Sequence, residues 1–117
     1  MILDLHSYPL DPLPYELYPH DDRPVTCLGT DDHHTPTWLI EAAGEAFASL
    51  GSVAINQPFR GAYVPLRHYR RDDRVSSLML ELRRDAYLRS DGTPIDAAIE
   101  QFAGAAAHMV ERAVPRT

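Results

Sequence analysis

An alternation of short apolar runs with two helical segments constrains the fold of this 117-residue chain more than any other feature. Two segments, residues 36–50 and 94–113, place apolar side chains three and four positions apart, as one face of a helix requires. Four runs have the apolar and β-branched composition of strands, at residues 2–5, 25–28, 53–56 and 77–82. Strands that alternate with helices predict an α/β fold, with a mixed central β-sheet flanked by helices in a single domain spanning residues 1–117.

Residues at the ends of the helical segments are typical of helix termini. Thr35 is a candidate N-cap, Pro36 suits the first helical position, and Gly51 suits a C-terminal cap. A capping pattern at residues 93–96 predicts the start of the second helix. The run "VSSLMLEL" is almost entirely apolar, which predicts a central strand of the sheet.

Composition and charge exclude several classes of protein. Apolar residues make up 44% of the chain and charged residues 24%, as in globular rather than disordered proteins. A net charge of −6 argues against nucleic acid or an anionic membrane as a partner. No apolar run has the length of a membrane span, no secretory signal is visible, and Cys27 is the single cysteine. These features predict a cytoplasmic protein.

His6 occupies an unusual position for a polar residue. It stands where the run "ILDL" meets a predicted loop. Ligands of open α/β sheets bind beyond the carboxyl ends of strands, and a neutral imidazole there can bind zinc. A partly buried, hydrogen-bonded histidine without a metal is the competing interpretation.

Glu81 is the second unusual residue, because it lies inside the apolar run "LMLEL". Strand alternation places it on one face with Met79 and Arg83. One interpretation is an ion pair between Glu81 and Arg83 at the end of the strand. The other is a general base whose pKa is tuned by burial. The sequence alone leaves both open.

A cluster of acidic residues and histidines occurs in "TDDHHTP". Asp31, Asp32, His33 and His34 could bind a metal if their side chains converged, which would make a stand-alone metal hydrolase. An Asx-type turn leading into the helix explains the same residues, and we favour the turn because no second set of ligand spacings occurs elsewhere.

Four motifs together resemble a known family. "DLHSYP", "CLGTDDHHTP", "NQPFRGAYVPL" and "SSLMLELRRDAYL" occur in the order seen in the N-formylglutamate amidohydrolases, the deformylases of histidine catabolism. The resemblance covers nearly the whole chain. That family is similar in fold to the zinc carboxypeptidases, so the resemblance implies a partial fold of this phosphorylase/hydrolase-like type.

The resemblance also implies a reaction and a set of site residues. His6 matches the zinc-binding histidine of the "HS" motif, and Glu81 matches the glutamate that acts as catalytic general base. The implied reaction is hydrolysis of N-formyl-L-glutamate to formate and L-glutamate, with zinc as cofactor. The residues expected to bind this N-acyl amino acid substrate are Arg60, Tyr63, Arg83 and His34.

Family members are longer and carry an N-terminal part that supplies the other zinc ligands. We therefore expect this chain to correspond to the C-terminal half of an amidohydrolase, as a fragment, a split subunit or a degenerate relative. Enzyme activity would then depend on association with the missing half, and exposed apolar surface would also favour self-association. The alternative is a non-catalytic protein that binds an acidic small molecule or a partner protein.

Overall fold

The structure, a computed structural model, describes residues 1–16 and 22–113. Four strands and two α-helices follow one another along the chain, with short 3₁₀ turns after the first helix and the last strand. They are β1 (Ile2–Tyr8), β2 (Thr26–Gly29), α1 (Thr37–Phe47), β3 (Val53–Ile55), β4 (Ser77–Arg83) and α2 (Asp96–Ala113). Every predicted strand and helix is present, so the predicted α/β class is confirmed.

The sheet is mixed, as predicted. Its strand order is β1-β4-β2-β3. Strands β1 and β4 pair in parallel, β2 and β3 pair in parallel, and β2 runs antiparallel to β4. The apolar strand β4 therefore lies inside the sheet, where both of its edges are hydrogen-bonded.

Both helices contribute to a core on one face of the sheet. The rings of Phe47 from α1 and Phe102 from α2 stack with their centroids 6.3 Å apart. The buried core residues are Leu28, Leu39, Ala42, Ala43, Phe47, Leu78, Leu80, Phe102, Met109 and Ala113. Leu28, Leu78 and Leu80 belong to this core, whereas the alternate positions of β4, Met79 and Glu81, lie on the opposite face of the sheet.

Some element boundaries differ from the predictions. Strand β1 does not end at His6 but continues to Tyr8, because parallel pairing with β4 extends to the Tyr8–Arg83 register pair. Pro36, not Thr35, precedes the first turn of α1, and no side chain caps it. The Thr35 hydroxyl instead donates to the carbonyl of Ser77 (2.6 Å), which ties the start of α1 to β4.

The start of the second helix also shifts. Residues 94 and 95 pair with the segment that follows β4, through a Leu88–Pro94 bridge and a bond from the Ile95 N–H to the Tyr87 carbonyl (2.9 Å). Helix α2 therefore begins at Asp96. The predicted terminal role of Gly51 is confirmed, since it ends the 3₁₀ turn after α1 with φ +137°, a conformation that favours glycine.

Candidate functional site

Asp4, His6 and Glu81 form a cluster on the face of the sheet opposite the helices. Asp4 and His6 share this face because they are two residues apart in β1. Parallel register places His6 directly beside Glu81 of β4. His6 Nε2 lies 3.0 Å from Asp4 Oδ1, and His6 Nδ1 lies 4.0 Å from Glu81 Oε1. Two carboxylates thus flank one imidazole, which we call the Asp4–His6–Glu81 cluster.

Glu81 is the buried member of this cluster. Its side chain is 9% exposed, whereas that of His6 is 47% exposed. Its Oε2 atom is buried and has no hydrogen-bond partner within the described residues. Burial raises the pKa of Glu81; the neighbouring side chains of His6 and Arg84 lower it in part, and the charge of Asp4 raises it. A carboxylate held in this way is suited to take up and release a proton.

The ion-pair interpretation of Glu81 is wrong for the described residues. The guanidinium of Arg83 pairs with Asp85 instead (Nε to Oδ1, 2.7 Å) and donates to the carbonyl of Arg23. The side chain of Arg83 is therefore directed away from Glu81 by two other partners. Its predicted role in substrate binding stays a prediction.

The loop that follows β3 covers part of the same face. The ring of Phe59 meets the ring of Tyr8 edge-on at 5.6 Å, and the carbonyl of Phe59 accepts a bond from the thiol of Cys27 (3.2 Å). Cys27 is the β2 register partner of Glu81. Arg60 follows Phe59 in this segment, and its side chain is exposed.

Tyr63 lies farther along the same loop. Its side chain is exposed, and its backbone carbonyl accepts a bond from the hydroxyl of Ser77 (2.6 Å). This bond fixes the backbone while leaving the phenol in solvent. The predicted substrate contacts of Tyr63 and of Arg60 stay predictions.

The "TDDHHTP" cluster is a turn and not a metal site. The Asp31 carboxylate accepts bonds from the backbone N–H groups of His33 (2.9 Å) and His34 (3.0 Å), which is an Asx-type turn. His33 pairs with Asp73 (2.7 Å). The four side chains therefore do not converge, and the interpretation as a stand-alone metal hydrolase is wrong.

His34 is buried within this turn, at 1% exposure. Its Nδ1 lies 2.7 Å from the Val75 carbonyl, and its Nε2 accepts a bond from the Arg70 N–H (2.8 Å). Both ring nitrogens are therefore used by backbone groups, which favours a structural role over the predicted contact with substrate.

The zinc ligand set is incomplete within the described residues. In residues 1–16 and 22–113, no three His, Cys, Asp or Glu side chains are placed so that they could hold a metal ion. Imidazole and carboxylate are ligands that zinc accepts, but a zinc site needs at least three protein ligands. The Asp4–His6–Glu81 cluster contains three such side chains, but Asp4 and Glu81 approach different ring nitrogens of His6, so the three are not placed to hold one metal ion.

A separate groove lies between the helices and holds no comparable cluster. It has a volume of about 590 Å³ and is lined by Ala46, Ser49, Leu50, Gln101, Ala105 and His108. His108 is its single titratable lining residue. The groove is formed by α1, its 3₁₀ turn and α2, whereas Glu81 lies on the other face of the sheet.

Sequence reasoning missed two residues that shape the site. Asp4 was not assigned a role, although its spacing of two from His6 in a strand indicates a shared face. Asn56, which follows β3, accepts bonds from the N–H groups of Thr30 and Gly61. No local pattern marks Asn56, because its partner Thr30 is 26 residues away in the sequence.

A mixed sheet with helices on one face and an imidazole–carboxylate cluster on the other defines an α/β protein with a candidate site on the face opposite its helices. The chain belongs to the N-formylglutamate amidohydrolase family, whose model matches residues 1–88. No curated protein matches the chain. The resemblance seen in the four motifs is thereby confirmed at the level of the family.

A solved structure has the same fold. The N-formylglutamate amidohydrolase from Ralstonia eutropha JMP134 superposes with a TM-score of 0.66 at 20% sequence identity. The match covers 93% of this chain and 40% of that chain. This chain thus spans less than half the length of the enzyme it resembles. Neither α1 nor α2 has the length and apolar character needed to cross a membrane.

Proposed function

We propose that this chain supplies part of the site of a zinc-dependent amidohydrolase that converts N-formyl-L-glutamate to formate and L-glutamate. The observation that carries the proposal is the register of β1 and β4, which places His6 beside the buried Glu81. Membership in the amidohydrolase family supports the reaction type. A zinc-carboxypeptidase-like arrangement of the whole site belongs to this proposal.

In this proposal His6 contributes one metal ligand, and the remaining ligands come from outside the described residues. The 40% coverage of the Ralstonia enzyme is consistent with a site shared with further polypeptide, whether in one chain or in a complex. Zinc, when bound, supplies Lewis acidity toward a formyl carbonyl and an acidified water. The partners of the chain are then the complementary amidohydrolase part and the N-acyl amino acid.

Glu81 is the proton carrier in the proposed reaction. Its carboxylate takes a proton from water and releases it to the amine of the leaving glutamate. Burial raises the pKa of Glu81, which brings the protonated and charged forms closer in free energy. The group can therefore hold the proton between the two transfers.

Substrate carboxylates require donors near this face. Arg60 is the first choice, because it stands in the exposed loop beside Phe59 and a guanidinium binds carboxylates in a bidentate manner. Tyr63 and Arg83 are secondary candidates. His34 is the weakest, since the Val75 and Arg70 backbones use its ring nitrogens. A cytoplasmic role in histidine catabolism is the corresponding cellular proposal.

The test measures zinc content and formate release for this chain, alone and co-expressed with the complementary region of a longer family member. We expect weak zinc binding and negligible turnover for the chain alone, and both properties in the reconstituted protein. In that protein Glu81→Gln should keep zinc and lose at least a hundredfold in turnover, because the proton carrier is removed while the metal site survives. His6→Ala should lose zinc and turnover together.

The controls separate the possible roles. Asp85→Asn removes a carboxylate near β4 that pairs with Arg83 and should leave zinc content unchanged. Unchanged turnover in the Glu81→Gln protein would remove Glu81 from the mechanism. A reconstituted protein that neither binds zinc nor releases formate would favour the non-catalytic binding protein.

A further inference from the structure

Asn56 connects the end of β2 to the segment of residues 56–61, which covers part of the face of the sheet that holds the Asp4–His6–Glu81 cluster. Its side-chain oxygen accepts bonds from the N–H groups of Thr30 (2.9 Å) and Gly61 (3.3 Å), and its amide nitrogen donates to the hydroxyl of Thr30 (2.7 Å). Its backbone N–H donates to the Leu28 carbonyl (2.8 Å). One residue thus ties both ends of the 56–61 segment to β2.

The 56–61 segment packs against the face that holds the Asp4–His6–Glu81 cluster. Phe59 contacts Tyr8 through its ring and Cys27 through its carbonyl. The carbonyl of Gly61 approaches Gly29 so closely that a Cβ built on Gly29 would lie 2.3 Å from it. The segment is therefore held by Asn56 at its ends and by β1 and β2 along its length.

We propose that Asn56 is a positioning residue that closes the 56–61 segment onto the sheet and so determines where Arg60 stands. Arg60 lies between Phe59 and Gly61, whose backbones are both fixed, while its own side chain is exposed. The catalytic meaning of this placement rests on the proposed function, in which Arg60 binds a substrate carboxylate. The closure itself does not depend on that function.

Asparagine is suited to this position for two reasons. Its backbone has φ +57°, the left-handed region that asparagine and aspartate tolerate better than other side-chain-bearing residues. Its short amide also presents an acceptor and a donor to Thr30 at the same time. Aspartate would keep the acceptor, and glycine would keep only the backbone conformation. The two substitutions therefore separate the two roles.

The test uses Cys27 as a reporter. It is the single cysteine of the chain, it is fully buried, and the Phe59 carbonyl covers its thiol. We expect slow reaction of the native protein with a thiol reagent. Asn56→Gly should react at least tenfold faster, because the three side-chain hydrogen bonds that hold the segment are lost. Asn56→Asp should react at a rate close to that of the unchanged protein.

Ala43→Gly is the matched control for global stability. Ala43 is buried in α1 on the other face of the sheet, and glycine there costs about 1 kcal/mol through helix propensity. Ala43→Gly should raise the rate of Cys27 labelling only through global unfolding. Its labelling rate should therefore increase with the denaturant concentration. The labelling rate of Asn56→Gly should change little at low denaturant concentrations, because a local opening of the 56–61 segment exposes little new surface.

Equal labelling of Asn56→Gly and the unchanged protein would overturn the proposal. So would fast labelling of Asn56→Asp, since that variant keeps the acceptor for Thr30 and Gly61. In the reconstituted enzyme Asn56→Gly should raise KM for N-formyl-L-glutamate severalfold with little change in kcat. A reconstituted enzyme without turnover would defeat the proposed function and leave the labelling result to decide the role of Asn56.

Discussion

His34 is a histidine whose side chain has a structural role in this fold. It is buried, and its imidazole joins the turn before α1 to two backbone groups of the segment before β4, those of Arg70 and Val75. Its own carbonyl accepts a bond from the N–H of Ser77 (2.9 Å). His34 therefore connects the "TDDHHTP" turn with the start of the central strand.

We expect His34→Ala to lower the free energy of unfolding by about 2–4 kcal/mol, because it removes two buried hydrogen bonds and leaves a cavity. His33→Ala is the control. His33 lies next in sequence but is exposed, and we expect a change within about 0.5 kcal/mol. Chemical denaturation of the three proteins measures both values. Equal losses for the two variants would contradict the structural role of His34.

Asp31 stabilises the same turn through its charge. Partial burial alone would raise the pKa of Asp31, but bonds from the backbone N–H groups of His33 and His34 outweigh it and hold the pKa below its ordinary value. A carboxyl with a lowered pKa in the folded state contributes stability above its unfolded pKa of about 3.9. That contribution is lost as the pH falls through the folded pKa.

Asp31→Ala should therefore lose about 1–2 kcal/mol of stability at neutral pH. Asp31→Asn should lose less, because it keeps the acceptor oxygen, and its deficit should shrink as the pH falls below about 3.9. Thermal unfolding of the variants between pH 2 and 7 gives the profile, with the exposed Asp32→Asn as control. A deficit of Asp31→Asn that is constant with pH would show that the charge contributes nothing.

Strand β2 illustrates how an element can depend on the absence of a side chain. Gly29 is its last residue, and a Cβ there would lie 2.3 Å from the Gly61 carbonyl and 2.4 Å from the end of the Met79 side chain. A methyl group can displace the methionine but not the backbone carbonyl without moving the 56–61 segment. Gly29 is thus required by the packing of a loop against the strand.

Alanine substitutions at Gly29 in β2 and at Gly44 in α1 test whether the absence of a side chain is required in the strand but not in the helix. Gly29→Ala should destabilise the protein by about 1–3 kcal/mol, since overpacking forces the backbone to shift. Gly44→Ala should instead stabilise it by about 0.5–1 kcal/mol, because Gly44 lies within α1 with open space around it and alanine is the better helix former. Denaturation midpoints of the two variants should move in opposite directions. A shift of the same sign would contradict the geometry at Gly29.

The folded unit extends beyond the part of the chain that the family model matches. The match ends at residue 88, whereas α2 spans Asp96–Ala113 and buries Phe102, Met109 and Ala113 against α1 and the sheet. Without α2 the ring of Phe47, which stacks on Phe102, would lose its cover on that side and meet water. The helix is therefore part of the core of this domain.

Removal of residues 89–117 should prevent stable folding. Met109→Ala, a milder change at a fully buried position, should cost about 2–5 kcal/mol through lost contacts and the cavity left behind. Circular dichroism and amide NMR dispersion of residues 1–88 measure the first effect, and denaturation of Met109→Ala the second. The exposed Ile99→Ala variant is the control, with little change expected. A cooperatively folded 1–88 fragment would show that α2 is dispensable.

Strand β1 forms one border of the sheet, and this determines how the site is exposed. Among the described strands it pairs with β4 alone, and Leu5 at its centre is 65% exposed. Asp4 and His6 therefore stand at the sheet edge, whereas Glu81 lies inside it. A site built here is accessible from the β1 side, where the proposed amidohydrolase reaction would draw its further ligands.

The sequence alone determined the elements and their order. Local periodicity decided them: strand-like runs alternate with two helical stripes, and the apolar character of residues 77–82 marked the interior strand. The Asx turn at Asp31 was also readable, since its donors lie two and three residues away. Such features depend on neighbours in the chain, which one sequence displays.

Tertiary structure decided everything that depends on distant partners. The length of β1 followed from its pairing with β4, and Thr35 lost its capping role to a bond with Ser77. The guanidinium of Arg83 donates to the distant carbonyl of Arg23 and pairs with Asp85 rather than Glu81, and the register of β1 and β4 places the buried Glu81 carboxylate beside His6. In each case a group has several possible hydrogen-bond or charge partners, and folding determines which of them it meets. No local pattern in the sequence therefore encodes the choice of partner.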